Sequence, residues 1–177
     1  MSEEVQLRPL VASDQDFLWD MLHVALWDPP PAGLRPREVL EEPRIAVHAE
    51  DFGSKRDDLG FVAQRGAVPI GAVWSRLHVE EGVGGAWFDE RTPQLGIALL
   101  PGERGRGVGS QLFEVYLKAA DRRFDAVSLA VHPENPARRL YERFGFEEFA
   151  RGPSDYRLMV RRRPKQATQN EASLVAD

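Results

Sequence analysis

Between Leu99 and Ala120 the chain reads LLPGERGRGVGSQLFEVYLKAA, with Gly102, Gly105, Gly107 and Gly109 inside eight positions and Arg104 and Arg106 interleaved. A strand-like apolar end precedes the glycines and an amphipathic pattern follows them. The first N–H groups of a helix lack internal acceptors and carry partial positive charge, so a sharp strand-to-helix turn makes an anion site. Glycine permits the turn and lets main chain approach a ligand closely. Guanidinium groups add paired donors for phosphate oxygens. The stretch reads as a cradle for a phosphate-bearing ligand, set against the plainer reading of a turn whose glycines pack a helix. Two familiar phosphate loops are excluded: no lysine follows these glycines as in the nucleotide P-loop, and Ser110 stands where a dinucleotide fingerprint on Gly105 and Gly107 needs its third glycine.

The elements that must position this turn follow from periodicity. Val5 to Leu10 alternates as a first strand, and Ser13, as an N-cap, opens a helix with Phe17, Leu18, Met21, Leu22, Ala25 and Leu26 on one face. Prolines 29 to 31 end it, and Pro36 opens a second helix over Arg37 to Glu42. Leu59 to Gln64 and Ile70 to Leu77 form a hairpin about Gly66, and a glycine-rich connection leads to a central strand, Gln94 to Leu100. After the glycine turn, Val108, Leu112, Val115, Tyr116 and Ala119 mark a helix ending near Arg122. The strand AVSLAVH, the helix NPARRLYERF and the strands FEEFAR and DYRLMVRR close the order β-α-α-β-β-β-α-β-α-β-β. That order predicts an α/β (α+β) fold with a mixed, mostly antiparallel central sheet flanked by helices. Residues 1–163 read as a single domain and 164–177 as a disordered tail.

Composition narrows the chemistry. With 42% hydrophobic and 29% charged residues the chain has an ordinary globular balance, and zero cysteines exclude disulfides, thiolate metal sites and a cysteine nucleophile. His23, His48, His78 and His132 show no paired metal spacing, so no metal is expected. No apolar run spans a bilayer and MSEEVQLRPL lacks the order of a secretory signal, giving the expectation of a cytoplasmic protein with no membrane partner. The first 60 residues carry 13 acids and 6 bases, and residues 101–177 carry 11 acids and 14 bases. This asymmetry suits a cationic substrate and an anionic cofactor, and equally an uneven solvated surface. RRRPK near the C-terminus reads as a solvated end, and no nucleic-acid partner is expected.

IALLPGERGRGVGSQL resembles the acetyl-coenzyme A motif Q/R-x-x-G-x-G/A of the GNAT superfamily of N-acetyltransferases, and VHPENPARRLYERFGF is similar to that family's downstream strand–Asn–helix–Tyr–Gly-Phe motif. Both stand in the family's order, over nearly all of Val5 to Arg162. The resemblance implies acetyl-coenzyme A as cosubstrate, with its pyrophosphate on the amides of Arg104, Gly105, Arg106, Gly107, Val108 and Gly109 and on the Ser110 hydroxyl. It implies a pantetheine arm along the main chain of Ala98, Leu99 and Leu100, and Asn135 on the cofactor arm, where the bare sequence reads an N-cap before Pro136. Arg138 or Arg143 is left open as a phosphate contact. Tyr141 is implied as the general acid that protonates the departing thiolate; without the motif it reads as a core aromatic beside Leu140 and Phe144.

The acceptor is expected between the first helices and the connection before the central strand, with Trp27, Trp87 and Phe88 as an aromatic wall and Asp28 or Asp89 attracting a cation. The central strand carries no useful acid at Thr92 to Leu95, and none of Glu80, Glu81, Asp89 and Glu90 is singled out as a base. The function implied is acetyl transfer to a primary amine of a small molecule or peptide by direct attack in a ternary complex. A catalytically silent acetyl-coenzyme A-binding or regulatory domain is the alternative, and a homodimer is admitted beside a monomer.

Overall fold

The computed structural model describes residues 4–165. Strands β1 (Val5–Pro9), β2 (Leu59–Arg65), β3 (Val68–Arg76), β4 (Gln94–Leu99), β5 (Ala126–Val131), β6 (Glu147–Arg151) and β7 (Arg157–Arg162) form one sheet in the order β1-β2-β3-β4-β5-β7-β6. Every neighbouring pair is antiparallel except β4 and β5, which run parallel. Helices α1 (Gln15–Ala25), α2 (Pro43–Ala46), α3 (Val108–Ala120) and α4 (Arg138–Arg143) complete the order expected from the sequence. The expected tail falls, from Gln166 onward, outside the described residues.

Alternation along the strands divides the core between two faces. Val62, Ala72, Trp74 and Ala98 meet Leu18, Met21 and Leu22 of α1, whereas Ala63, Val73, Leu95, Val127 and Leu129 meet Leu112, Phe113, Tyr116 and Leu117 of α3. Fully burying each large apolar side chain contributes about 1.5–3 kcal/mol, which holds both helices without strong intrinsic propensity. The buried stripe of α3 runs through Phe113, Leu117 and Ala120 rather than Val115 and Ala119. Gly96 lies opposite Trp74, and a Cβ there would come within 2.6 Å of the indole, so the glycine makes room for the ring.

Two local expectations are corrected. Ser13 does not cap α1: residues Ala12–Asp14 form a 3-10 turn, and Asp14 accepts from the Val11 amide at 3.0 Å and from Arg8 at 2.7 Å. The second helix over Arg37 to Glu42 is a 3-10 turn, Arg37–Glu41, and the α-helical turn begins only at Pro43, whose fixed φ suits a first helical position.

The segment after α2 is fastened to β3 by a buried ion pair. Arg76 and Asp58 are each 2% exposed, joined by two 2.8 Å bonds, and Arg76 also donates to the carbonyls of Val47, Glu50 and Asp51. Beside them the rings of His48 and His78 meet edge to face at 5.1 Å. Burial, then the charges of His78 and Arg76, pushes His48 down to about 3. Burial, then Lys55 and Arg76, pushes His78 down to about 4, Asp58 opposing.

Both folded values lie below the unfolded value of 6.5. As pH falls below that value the unfolded chain takes up protons that the folded chain refuses, so stability falls. Unfolding free energy from denaturant titration is expected to drop by up to ~1.4 kcal/mol per pH unit for each ring between the unfolded value and about pH 5. His78→Gln should remove a large part of that slope; a flat wild-type profile would show that the rings titrate freely.

Candidate active site

β4 and β5 share one paired position, Gln94 with Ser128, and then diverge. Pro93 O accepts from the Ser128 amide at 3.0 Å, and on the other edge the Leu100 amide donates to Ile70 O at 2.9 Å. Antiparallel pairing alternates along a strand, so Ala98 and Leu100 direct their main-chain groups to β3, while Ile97 and Leu99 present theirs to the open side. Of the three residues expected to offer main chain here, Leu99 does so. Ile97 takes the place assigned to Ala98 and Leu100, because register, invisible in a short apolar run, selects every second residue.

A cavity of about 1060 Å³ fills the wedge between the two strands. Ala98, Leu99, Arg104, Gly105, Gly107, Gly109, Ser110, Asn135 and Tyr141 line it; Leu100, Arg106 and Val108 do not. Val108 is 1% exposed, and its side chain pins the start of α3 into the core. Gly107 caps α3 with φ 81°, and Gly105 has φ 73°; a Cβ on either would enter open space. The first amide inside this turn with a main-chain acceptor is that of Gln111, bonded to Gly107 O at 3.2 Å. The consecutive amides of 105–110 have no acceptor among the described residues. Gly109 packs closely, since a Cβ there would lie 3.3 Å from Leu140.

Charge reinforces the turn. Glu103, the one acid in it, is held by Arg65 at 2.7 Å. The Arg104 guanidinium enters no hydrogen bond or ion pair among the described residues, and those of Arg139 and Arg143 line the cavity from α4 in the same condition. Arg138 pairs instead with Glu142 at 2.7 Å. Arg139 was missed in the sequence, although its spacing of four from Arg143 puts both on one helical face. Asn135 Oδ1 accepts from the Ala137 amide at 2.9 Å and so closes the turn before α4, whose own N-cap position is Ala137 rather than Asn135, while the residue still borders the cavity.

Tyr141 is 8% exposed, with its ring 5.6 Å from that of Phe113 and 6.2 Å from that of Phe146. Burial raises its phenol above the usual tyrosine range, so it stays protonated. Its hydroxyl makes no hydrogen bond among the described residues, which leaves the proton available toward the cavity.

The acceptor residues expected from sequence are only partly assembled. Trp27 lines the cavity, but Trp87, Phe88 and Asp89 lie outside it. Their connection is tied down by Gln94, which accepts from the Ala86 amide at 2.9 Å and donates to Val83 O at 2.7 Å. Phe88 turns to Phe149, ring to ring at 4.9 Å, and Asp89 accepts from the Thr92 hydroxyl at 2.7 Å. Asp28 is engaged by Arg35 through bonds of 2.6 and 2.7 Å, and that guanidinium holds its carboxyl below the usual range. His132 and Tyr156 join Trp27 in the lining instead. No sequence signal marks them, because they follow β5 and precede β7.

Residues 19–146 match the acetyltransferase (GNAT) family. The chain belongs to that family. As a GNAT acetyltransferase it takes acetyl-coenzyme A as cosubstrate, and the wedge fits such a ligand on its own evidence: unpaired main chain on β4, a row of unpartnered amides and a cationic rim. The fold is shared with a GNAT-family acetyltransferase from Streptococcus pneumoniae, at 18% identity and TM-score 0.65, covering 91% of this chain and 100% of that one. It is shared with the ribosomal-protein-S18-alanine N-acetyltransferase of Escherichia coli, at 17% identity and TM-score 0.62, over 94% and 98%. It is shared also with PaiA N-acetyltransferase of Thermoplasma acidophilum in complex with coenzyme A, at 14% identity and TM-score 0.64, over 90% and 99%. No protein of curated function matches the chain in sequence. Among the described residues no helix is long and apolar enough to cross a membrane, and no group of three or more metal-ligating side chains comes together.

Proposed function

We propose that this GNAT acetyltransferase moves the acetyl group of acetyl-coenzyme A to a primary amine by direct attack in a ternary complex in the cytoplasm. The observation that carries the reading is the wedge between β4 and β5, which joins the amide row of 105–110 to the Tyr141 hydroxyl and continues to Trp27. With no cysteine in the chain, no thioester intermediate forms on the protein, which supports direct attack by the amine.

Bound acetyl-coenzyme A supplies the carbonyl that is attacked and the thiol that leaves. The amides of 105–110 and the Arg104 guanidinium hold its phosphates. Ile97 and Leu99 align its arm by main-chain pairing. Tyr141 gives its proton to the sulfur as the C–S bond breaks, and recovers one from the nitrogen as the C–N bond becomes an amide. Glu80, Glu81, Asp89 and Glu90 line no part of the cavity, so the ammonium loses its first proton to solvent rather than to these acids.

Thermal protection by acetyl-coenzyme A together with amine-dependent thiol release tests the reading. Protection without release from any amine would favour the silent binding domain. Tyr141→Phe is expected to lower kcat by about 10²-fold or more while leaving the dissociation constant for acetyl-coenzyme A unchanged. An unaltered kcat would remove the acid role.

A further inference from the structure

The end of the cavity away from the glycine turn lies on the sheet face that carries α1, and its walls include Val24, Ala25, Trp27, Ala98, His132 and Tyr156. The His132 ring sits between the other two aromatics, 5.5 Å from Trp27 and 5.5 Å from Tyr156. Tyr156 is fixed from behind: Arg35 donates to its hydroxyl at 3.3 Å, and the hydroxyl donates to Trp27 O at 3.5 Å. His132 Nδ1 accepts from the Glu134 amide at 3.2 Å, so a neutral ring carries its proton on Nε2.

Negative charge is scarce at this end. Glu142 is the carboxylate in the lining; it stands on α4, paired with Arg138, beside Arg139 and Arg143. The nearby Asp28 is engaged by both nitrogens of the Arg35 fork. A second ammonium on the acceptor would therefore meet ring faces and no uncommitted carboxylate at this end, and a cation–π contact is weaker than the charge-assisted hydrogen bonds that a carboxylate would supply. A substrate carboxylate would find the Arg35 guanidinium already matched.

Resting on the acetyl-transfer reading, we propose that the acceptor is a primary monoamine with an aromatic or apolar body, seated against Trp27, His132 and Tyr156. It reacts as the free amine: its nitrogen lone pair forms the C–N bond, the C–S bond breaks, and the proton shed by nitrogen balances the one gained by sulfur. The two aromatic walls and the immobilised Tyr156 select the body, while the lack of an uncommitted carboxylate selects against polyamines.

The test is kcat/KM on the full chain with 2-phenylethylamine, spermidine and phenylalanine at fixed acetyl-coenzyme A, alongside calorimetric binding of 2-phenylethylamine to the coenzyme A complex. The value for 2-phenylethylamine is expected to exceed both others by at least about tenfold. Trp27→Ala and Tyr156→Ala should each raise its KM by about tenfold, with thermal protection by acetyl-coenzyme A retained as the sign of an intact fold and cofactor site. Turnover that favours spermidine or phenylalanine overturns the inference and leaves acetyl transfer standing. Binding of 2-phenylethylamine to the coenzyme A complex without thiol release from any amine supports the pocket and overturns the transfer reading.

Discussion

Gly107→Val is expected to abolish the thermal protection that acetyl-coenzyme A gives the wild-type chain, a rise of roughly 5–10 °C at about a hundredfold excess of ligand over Kd. Gly107 has φ 81°, and a Cβ there enters open space beside the unpartnered amides of 105–110. The branched side chain would fill the volume where those amides converge, and a β-branched residue at positive φ adds about 1–3 kcal/mol of strain. Strain alone lowers the melting temperature without touching the ligand-dependent increment. Gly53→Val separates the two effects, because Gly53 has φ 93°, open space around its Cβ and no place in the cavity lining. It should melt earlier yet keep full protection. Full protection of Gly107→Val would reduce the loop to a turn.

Asp58→Ala is expected to cost about 3–5 kcal/mol of unfolding free energy. Both partners are 2% exposed, so truncation leaves the Arg76 guanidinium buried without its counter-charge. Burial pushes the Asp58 carboxyl up, but the Arg76 hydrogen bonds, with the Gly53 and Lys55 amides, more than offset it and hold it below the usual range. Arg76 also gathers the carbonyls of Val47, Glu50 and Asp51, so its loss would orphan the first two, while Asp51 O keeps the Ser54 amide at 3.0 Å. Denaturant unfolding of Asp58→Ala, Arg76→Met and the double variant should show strong coupling between the sites. Additive losses below about 1 kcal/mol would mean that water reaches the pair.

The legibility of this molecule tracks the range of the interactions involved. The hairpin about Gly66 was read to within two residues at its ends, because alternation and a turn glycine are local signals. The second helix was misplaced because Arg37 to Glu42 has a helical composition but only a 3-10 turn before Pro43. Phe88 and Asp89 resembled acceptor residues by type and by their position in a long connection. Phe149 takes up Phe88 from a distant strand that no feature of the connection records, whereas Asp89 is taken up locally by Thr92, three residues along the same connection.

By itself the sequence pointed to the donor of this protein: the glycine spacing, the interleaved arginines and the helix start read as an anion cradle, since such a cradle is made of consecutive amides. It also determined that no cysteine of the chain serves as nucleophile. Only the tertiary structure decided that β4 and β5 part after one pair, that Ile97 and Leu99 face the gap, and that Trp27, His132 and Tyr156 enclose its far end. The reason is physical: those three residues come from separate segments, and strand register and competition among distant partners set which polar and aromatic groups remain available to a ligand.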